Sequence, residues 1–327
     1  MTLSNEQLLE MHRIMLLARR LDERAWVMHR QGKIAFHISG IGQEAAQVGA
    51  AFALRRGQDW VAPYYRDLAL MLALGLTPRA FVLSLMGKVG EPTSGARQMP
   101  SHWSLRSANV VSHSSPVATQ ACHASGIGLA IKLSGKDQVV LTTIGEGSTA
   151  QGEWYEAVNW AAIHKLPVIF LVENNVYAIS VHQDKQMAVA SAADKAVGLG
   201  LPGASIDGLD PVAMYSAVQQ AADRARQGEG PTLLEARVHR LTPHSSDDDD
   251  RSYRSRQEVE TMKSEDPLRL FHDSLVKQKV LTMAAAEAMD VQAREEVEQA
   301  VSFAAQAPFP PAADAAYPVF VEDLRHG

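Results

Sequence analysis

The hydrophobic pattern of this chain is helical at both ends and becomes an alternation of strands and helices in between. Residues 5–30 carry Leu, Met and Ile at helical spacing with Arg and Glu between them, and Ser4 with Gln7 forms the signature of a capping box. An Ala-rich helix follows at residues 43–54, then a short strand or turn at 59–65 leading into a helix near Asp67, and another helix at 78–86. From Gly87 to Ser115 no period survives, and a loop of that length in a compact domain is usually functional or disordered. Helix 121–133, strand 138–144, helix 150–164, strand 167–172, a short strand near 204–206, helix 211–227 and strand 232–238 come next. That alternation predicts an α/β fold with a doubly wound, mostly parallel sheet. A second polar loop, residues 242–256, contains four consecutive aspartates from Asp247 to Asp250 and reads as a solvated segment that orders on binding. The rest is expected to be helical from Pro267 to about Gln306, ending in a Pro-rich tail. No repeat or linker interrupts the chain. It reads as a single domain over residues 1–327, with a core at about 35–260 and helical N- and C-terminal extensions, the latter about 261–327.

Composition narrows the classes. At 327 residues, 46% hydrophobic and 21% charged, this is an ordinary globular chain able to bury a large core. A formal charge of −6 argues against nucleic-acid and anionic-membrane partners. Cys122 is the sole cysteine, so no intrachain disulfide or thiolate metal cluster can form, and a cytoplasmic location is expected. The first ten residues are polar, unlike a signal peptide, and no apolar run reaches membrane-spanning length.

The chemistry lies where two strands end. Strand 138–144 runs into Gly145-Glu146-Gly147, and strand 167–172 into Glu173-Asn174-Asn175, with one helix between them. Strand–helix–strand units make parallel neighbours whose C-terminal ends share an edge, where ligands of open sheets bind. Glu146 and Asn175 should therefore converge. A carboxylate and an amide oxygen suit a hard cation such as Mg²⁺, with phosphate oxygens completing its shell. The backbone carbonyl of Tyr177 is placed as a third protein ligand, and the helix after Gly147 should point its positive end at the diphosphate. Either triplet alone is weak, because Gly and Asn are common in turns; the pair is what points to a metal–diphosphate site.

These residues carry a resemblance. Gly-Glu-Gly followed by Asn-Asn is similar to the thiamine diphosphate motif. The segments at 64–66 (Tyr-Tyr-Arg), 95–100, 114–118, 244–248 and 252–255 all resemble one family, the alpha subunit of the decarboxylating component of 2-oxo acid dehydrogenase complexes, with the branched-chain type most similar. The resemblance covers about residues 5–280. It implies Mg²⁺ on Glu146, Asn175 and the Tyr177 carbonyl. It implies thiamine diphosphate held by Tyr65, Arg66, Ser115, Val117, Gly145, Glu146, Gly147, Ser148, Asn175 and His244, with His244 the active-site histidine. Ser114, Pro116, Thr119 and Gln120 match a potassium-binding turn. Phe36 and His102 are substrate-pocket candidates, whereas His37, His113, His123 and His164 are expected to be structural. The activity implied is decarboxylation of a 2-oxo acid and transfer of the acyl group to the lipoyl group of an acyltransferase component. No carboxylate in this chain suits activation of the cofactor. The resemblance implies that a beta subunit supplies it, in an α2β2 heterotetramer inactive without both chains.

The chain departs from the family in two places. Glu146 stands where many relatives have Asp, and Glu173 where some have a phosphate-binding Arg. Phosphate neutralisation is then expected from Arg66, the ion and His244. Ser245 and Ser255 match positions phosphorylated in mitochondrial relatives, but a plain loop role is preferred. The small-residue helix with Gly126 and Gly128 suits packing on a partner, or tight packing within the subunit. Three other functions are weighed: a pyruvate or acetoin dehydrogenase alpha subunit, a non-catalytic assembly subunit, and a nicotinamide dehydrogenase. The last wants a Gly-x-Gly-x-x-Gly turn, and Ala150 occupies its final place.

Overall fold

The computed structural model describes residues 3–113 and 115–316. In chain order the elements are α1 (Asn5–Arg30), α2 (Glu44–Phe52), β1 (Trp60–Ala62), α3 (Leu68–Ala73), α4 (Pro78–Leu85), α5 (Thr119–Ser134) and β2 (Val140–Gly145). There follow α6 (Gly152–Ile163), β3 (Val168–Asn174), β4 (Tyr177–Ala178), β5 (Val181–His182), α7 (Lys195–Leu199), β6 (Gly203–Asp207), α8 (Pro211–Arg226) and β7 (Thr232–Arg237). The C-terminal part holds α9 (Arg256–Ser264), α10 (Pro267–Lys277) and α11 (Met283–Gln306). Five strands form one sheet in the order β1-β2-β3-β7-β6, every pairing parallel, as the alternating pattern predicts.

The sheet is covered on both faces, which is why β2 and β3 are apolar nearly throughout. Successive side chains point to opposite sides. Leu141, Ile169 and Leu171 join a core with α1, α2, α3 and α8, whereas Val140, Ile144, Val168, Phe170 and Val172 join one with α5 and α6. Gly128 belongs to the second packing: a Cβ there would lie 2.7 Å from Val168, so its smallness serves the subunit's own interior rather than a partner. A Cβ at Gly126 would meet nothing.

Helix ends follow local chemistry. Ser4 and Gln7 make the expected reciprocal cap. Thr77, Asp210 and Asp266 cap helices whose first turns begin with proline, where the missing N–H costs nothing. Ser255 caps α9 through Glu258, a structural task for a residue the resemblance links to phosphorylation. The terminal helices close on each other, with α11 packed on α1 and α4 and joined to α1 by Arg20–Asp290 and Arg24–Glu298 pairs at 2.6 Å.

Several expectations need correction. The C-terminal helix is two, broken at residues 278–282, and α9 lies in what the pattern leaves blank. After Gly145 a 3₁₀ turn spans Glu146–Ala150, so α6 starts only at Gly152. The 87–115 loop is irregular as expected, and within it Glu91 accepts the N–H groups of Thr93, Ser94 and Ala96. Nor is the aspartate run simply solvated. Asp248 accepts from the His244 N–H at 2.8 Å and from the Tyr253 hydroxyl, Asp249 pairs with Arg251, and Asp250 pairs with buried Arg254.

Two interior histidines predict acid lability. Burial, with His272 nearby, lowers His12 to about 4, and burial beside His102 lowers His113 to about 3. The unfolded chain therefore binds more protons than the folded one between those values and the ordinary 6.5. Stability from these groups is complete above pH 6.5 and is lost as pH falls toward the folded values. The urea midpoint should drop between pH 7 and pH 5, and His12→Gln should flatten that slope. A midpoint independent of pH over this range contradicts the account.

Candidate active site

The predicted convergence is present. Gly145 lies opposite Glu173 across the β2–β3 pairing, and Glu146 Oε2 accepts from the backbone N–H of Asn175 at 3.2 Å. Both side chains are buried, at 1% and 4% exposure, yet Glu146 Oε1 and Asn175 Oδ1 have no hydrogen-bond partner. Two buried oxygens without a donor are costly unless something positive satisfies them. Burial pushes the Glu146 carboxyl up, against the opposing effect of its backbone hydrogen bonds and of Arg240 and Arg66. The residues present therefore fit a hard cation.

The turn carrying Asn175 is held against strain. Val176 and Ile179 are β-branched residues at φ 62° and 55°, in the left-handed region. Each such residue costs roughly 1–3 kcal/mol and persists only where its surroundings impose it. At Val176, Asn174 imposes it: its amide donates to Glu235 at 2.7 Å and Gln183 at 2.6 Å, and its oxygen accepts the Val176 N–H at 2.9 Å. The β4–β5 hairpin, too short to leave a sequence period, then folds over Gly147. A Cβ on Gly147 would sit 2.4 Å from that of Ala178.

These groups line a cavity of about 450 Å³. Tyr65, Arg66, Ser115, Val117, Gly145, Gly147, Ser148, Tyr177 and His244 all reach its wall, as do the substrate candidates Phe36 and His102. Ile38, Gln151, Ala178 and Ile179 also line it and were not anticipated. Of the potassium set, Ser114 lies outside the described residues, and Pro116, Thr119 and Gln120 lie off the cavity wall. The Thr119 hydroxyl donates to Glu153, and Gln120 donates to the Thr143 carbonyl while its own Oε1 is buried without a partner. Of the histidines expected to be structural, His37 pairs with Asp22 at 2.6 Å in the interior.

Arg66 brings a buried positive charge to the cavity wall, and Arg240 lies near it, off the wall. The Arg66 guanidinium, 2% exposed, donates to the Ser39 carbonyl and, through Nη2, to the carbonyl and Nδ1 of His244 at 3.0 and 2.8 Å. Arginine can only donate, so Nδ1 carries a lone pair, and in the neutral ring Nε2 holds the proton. Burial and the charges of Arg66 and Arg240 keep that ring neutral, lowering its pKa to about 3. Arg240, absent from the sequence expectations, is 1% exposed; it donates to the Ile179 carbonyl and the Tyr253 hydroxyl, and its Nε and Nη1 are unpartnered. Burial and the neighbouring Arg66 push it down to about 10. Nothing in the local sequence distinguishes Arg240 from a surface arginine. Excess buried positive charge of this kind fits a polyanionic group such as a diphosphate. Glu173 points away from the cavity, so Arg240, rather than a residue of the Asn174–Asn175 turn, adds to the charge of Arg66.

A parallel sheet whose strand ends bring two buried, unpartnered oxygens beside an arginine–histidine pair defines an α/β protein whose cavity suits a cation and an anionic group. Residues 12–313 match the sequence model of the dehydrogenase E1 component family, and the chain belongs to that family. The family is thiamine diphosphate-dependent. The chain is 50% identical to the 2-oxoisovalerate dehydrogenase subunit alpha of Bacillus subtilis, over 94% of this chain and 93% of that one. It is 37% identical to the 3-methyl-2-oxobutanoate dehydrogenase subunit alpha of Mycobacterium tuberculosis (89% and 77% covered) and 36% identical to the pyruvate dehydrogenase E1 component subunit alpha of Bacillus cereus (94% and 80%). Like these relatives it is of the alpha-subunit type.

Proposed function

We propose that this chain is the alpha subunit of a branched-chain 2-oxo acid dehydrogenase, working with a beta subunit in an α2β2 assembly of the cytoplasm and passing its acyl group to a lipoylated acyltransferase component. The observation that carries the site assignment is the pair of buried, donorless oxygens on Glu146 and Asn175 in a cavity whose wall also carries Arg66. Glu146 and Asn175, with the Tyr177 carbonyl, would hold Mg²⁺. Tyr65, Arg66 and His244 would hold the diphosphate, with Gly145, Gly147 and Ser148 lining its bed and Ser115 and Val117 toward the ring. Potassium at the Pro116–Gln120 turn belongs to the same reading, with Gln120 Oε1 as its buried oxygen. Among the described residues no helix is long and apolar enough to cross a membrane.

When bound, thiamine diphosphate supplies the nucleophile and electron sink for decarboxylating a 2-oxo acid. The chain's own residues do the rest. Arg66 neutralises phosphate charge and fixes the His244 tautomer. His244 presents Nε2–H as a donor to the oxygen on which negative charge develops. His102, whose Nε2 lies 2.6 Å from the Ser115 hydroxyl, orients the opposite rim. Phe36, Ile38, Met99 and Ile179 supply apolar wall suited to a branched side chain. Identity is higher to the 2-oxoisovalerate enzyme than to the pyruvate enzymes, which favours the branched substrate.

The test is co-expression with a candidate beta subunit and assay with 3-methyl-2-oxobutanoate and pyruvate, with and without thiamine diphosphate and Mg²⁺. Cofactor-dependent turnover preferring the branched acid is expected. Preference for pyruvate overturns the substrate assignment and keeps the site, whereas a stable complex without turnover points to an assembly subunit.

A further inference from the structure

Behind the cavity, Glu173 at the end of β3, Gln47 of α2 and Asp67 form a group of buried polar side chains with Tyr64, which also reaches the cavity wall. Glu173 follows Ile169 and Leu171 on the β3 face toward α2, so it points away from the cavity and is 0% exposed. Its carboxyl group is hydrogen-bonded to that of Asp67, also 0% exposed. Asp67 in turn accepts the Tyr64 N–H at 2.9 Å and the Thr143 hydroxyl of β2. The Tyr64 hydroxyl donates to Gln43 at 2.8 Å and lies 3.3 Å from Glu173. Gln47 of α2 joins the parts. Its Nε2 donates to Glu173 Oε2 at 3.0 Å and to the Arg66 carbonyl at 3.1 Å, and its Oε1 accepts the Ala69 N–H at 3.1 Å.

We propose that Gln47, Tyr64, Asp67 and Glu173 form a buried positioning clamp that sets the separation of the diphosphate arm at Arg66 from the metal turn at Asn175, with Gln47 as its central link. The clamp rests on the metal–diphosphate reading of the site. None of the four is assigned as a ligand, and three of them do not line the cavity. Each is tied to one of the two ligand-bearing segments: Tyr64 and Asp67 flank Tyr65 and Arg66, and Glu173 lies two residues before Asn175. The geometry gives Gln47 both halves at once, because its single amide nitrogen has one hydrogen for the backbone of the arm and one for the end of β3. Such a network is expensive to bury, and a leucine at 47 or 173 would satisfy the core. Its benefit is geometric: a cation and a phosphate that contact each other bind well only if their protein ligands are the right distance apart, and misplacement by about 1 Å is enough to cost much of that advantage.

The test uses the chain purified with its beta subunit, and reads binding rather than turnover. Mn²⁺ affinity alone is measured by electron paramagnetic resonance, and thiamine diphosphate affinity with and without Mn²⁺ by calorimetry. In Gln47→Met, which keeps volume and removes both donors, the affinity for thiamine diphosphate in the presence of Mn²⁺ should fall about tenfold, while that for Mn²⁺ alone stays within about twofold. Equal losses in both measurements with a lower melting temperature would mean a merely structural role and would overturn the proposal. So would an unchanged ternary affinity. Should Gln47→Met not fold, Glu173→Met carries the same test, since it lies off the cavity and removes the acceptor of the Gln47 amide; a severalfold ternary loss supports the clamp and no loss refutes it. Wild-type protein that binds neither probe removes the metal–diphosphate reading itself, and the clamp with it.

Discussion

Glu146→Ala should lower decarboxylation by more than about 10³-fold, because a metal that clamps the diphosphate contributes several kcal/mol and each 1.36 kcal/mol is tenfold in rate. The loss should appear first as failure to retain Mg²⁺ and thiamine diphosphate on gel filtration, and raising Mg²⁺ should recover little of it. Stability should move the other way. Glu146 is a buried carboxyl group with one oxygen unsatisfied and its pKa raised by desolvation, so the metal-free protein carries an uncompensated acid. Glu146→Gln keeps the volume and removes the charge, and should melt higher than wild type when both are stripped with chelator. This is the trade expected of a site held in a strained state for its ligand. A Glu146→Ala enzyme with near wild-type, metal-dependent turnover would show that the ion binds elsewhere.

The second large effect belongs to His244. His244→Ala should reduce kcat by about 10²–10³-fold, the usual loss when one donor to a developing negative charge is removed. Mn²⁺ affinity should not change, since the histidine faces Arg66 rather than Glu146. Thiamine diphosphate should bind somewhat more weakly, because Arg66 Nη2 loses its contact at 2.8 Å with the ring. His244→Gln, which restores a donor of similar reach, should recover part of kcat. A mutant that loses metal and activity in parallel would instead assign His244 to ordering the 242–256 loop, through the bond from its N–H to Asp248.

Both predictions draw on residues legible before any coordinates, for different reasons. Glu146 and Asn175 could be placed together from strand–helix–strand logic alone: apolar runs mark β2 and β3, one helix joins them, and parallel neighbours must end on the same edge. His244 could not. It lies 178 residues from Arg66, and only the family resemblance suggested that the two act together.

Periodicity and turn chemistry record interactions between near neighbours along the chain. That is why the capped first helix, the mostly parallel sheet and the convergence of Glu146 and Asn175 at its edge were determined by the sequence itself. Arg240, the Gln47–Glu173 link and the ordering of the aspartate run arise from polar side chains meeting across elements far apart in the chain, and such meetings leave no period to read. Glu173 shows the difference most sharply. In the sequence it is an acid beside the metal turn, unable to bind phosphate. In the fold, strand alternation turns it to the other face of the sheet, where Gln47 and Asp67 give it partners. The face follows from alternation along the strand, but which groups wait there was decided by tertiary packing alone.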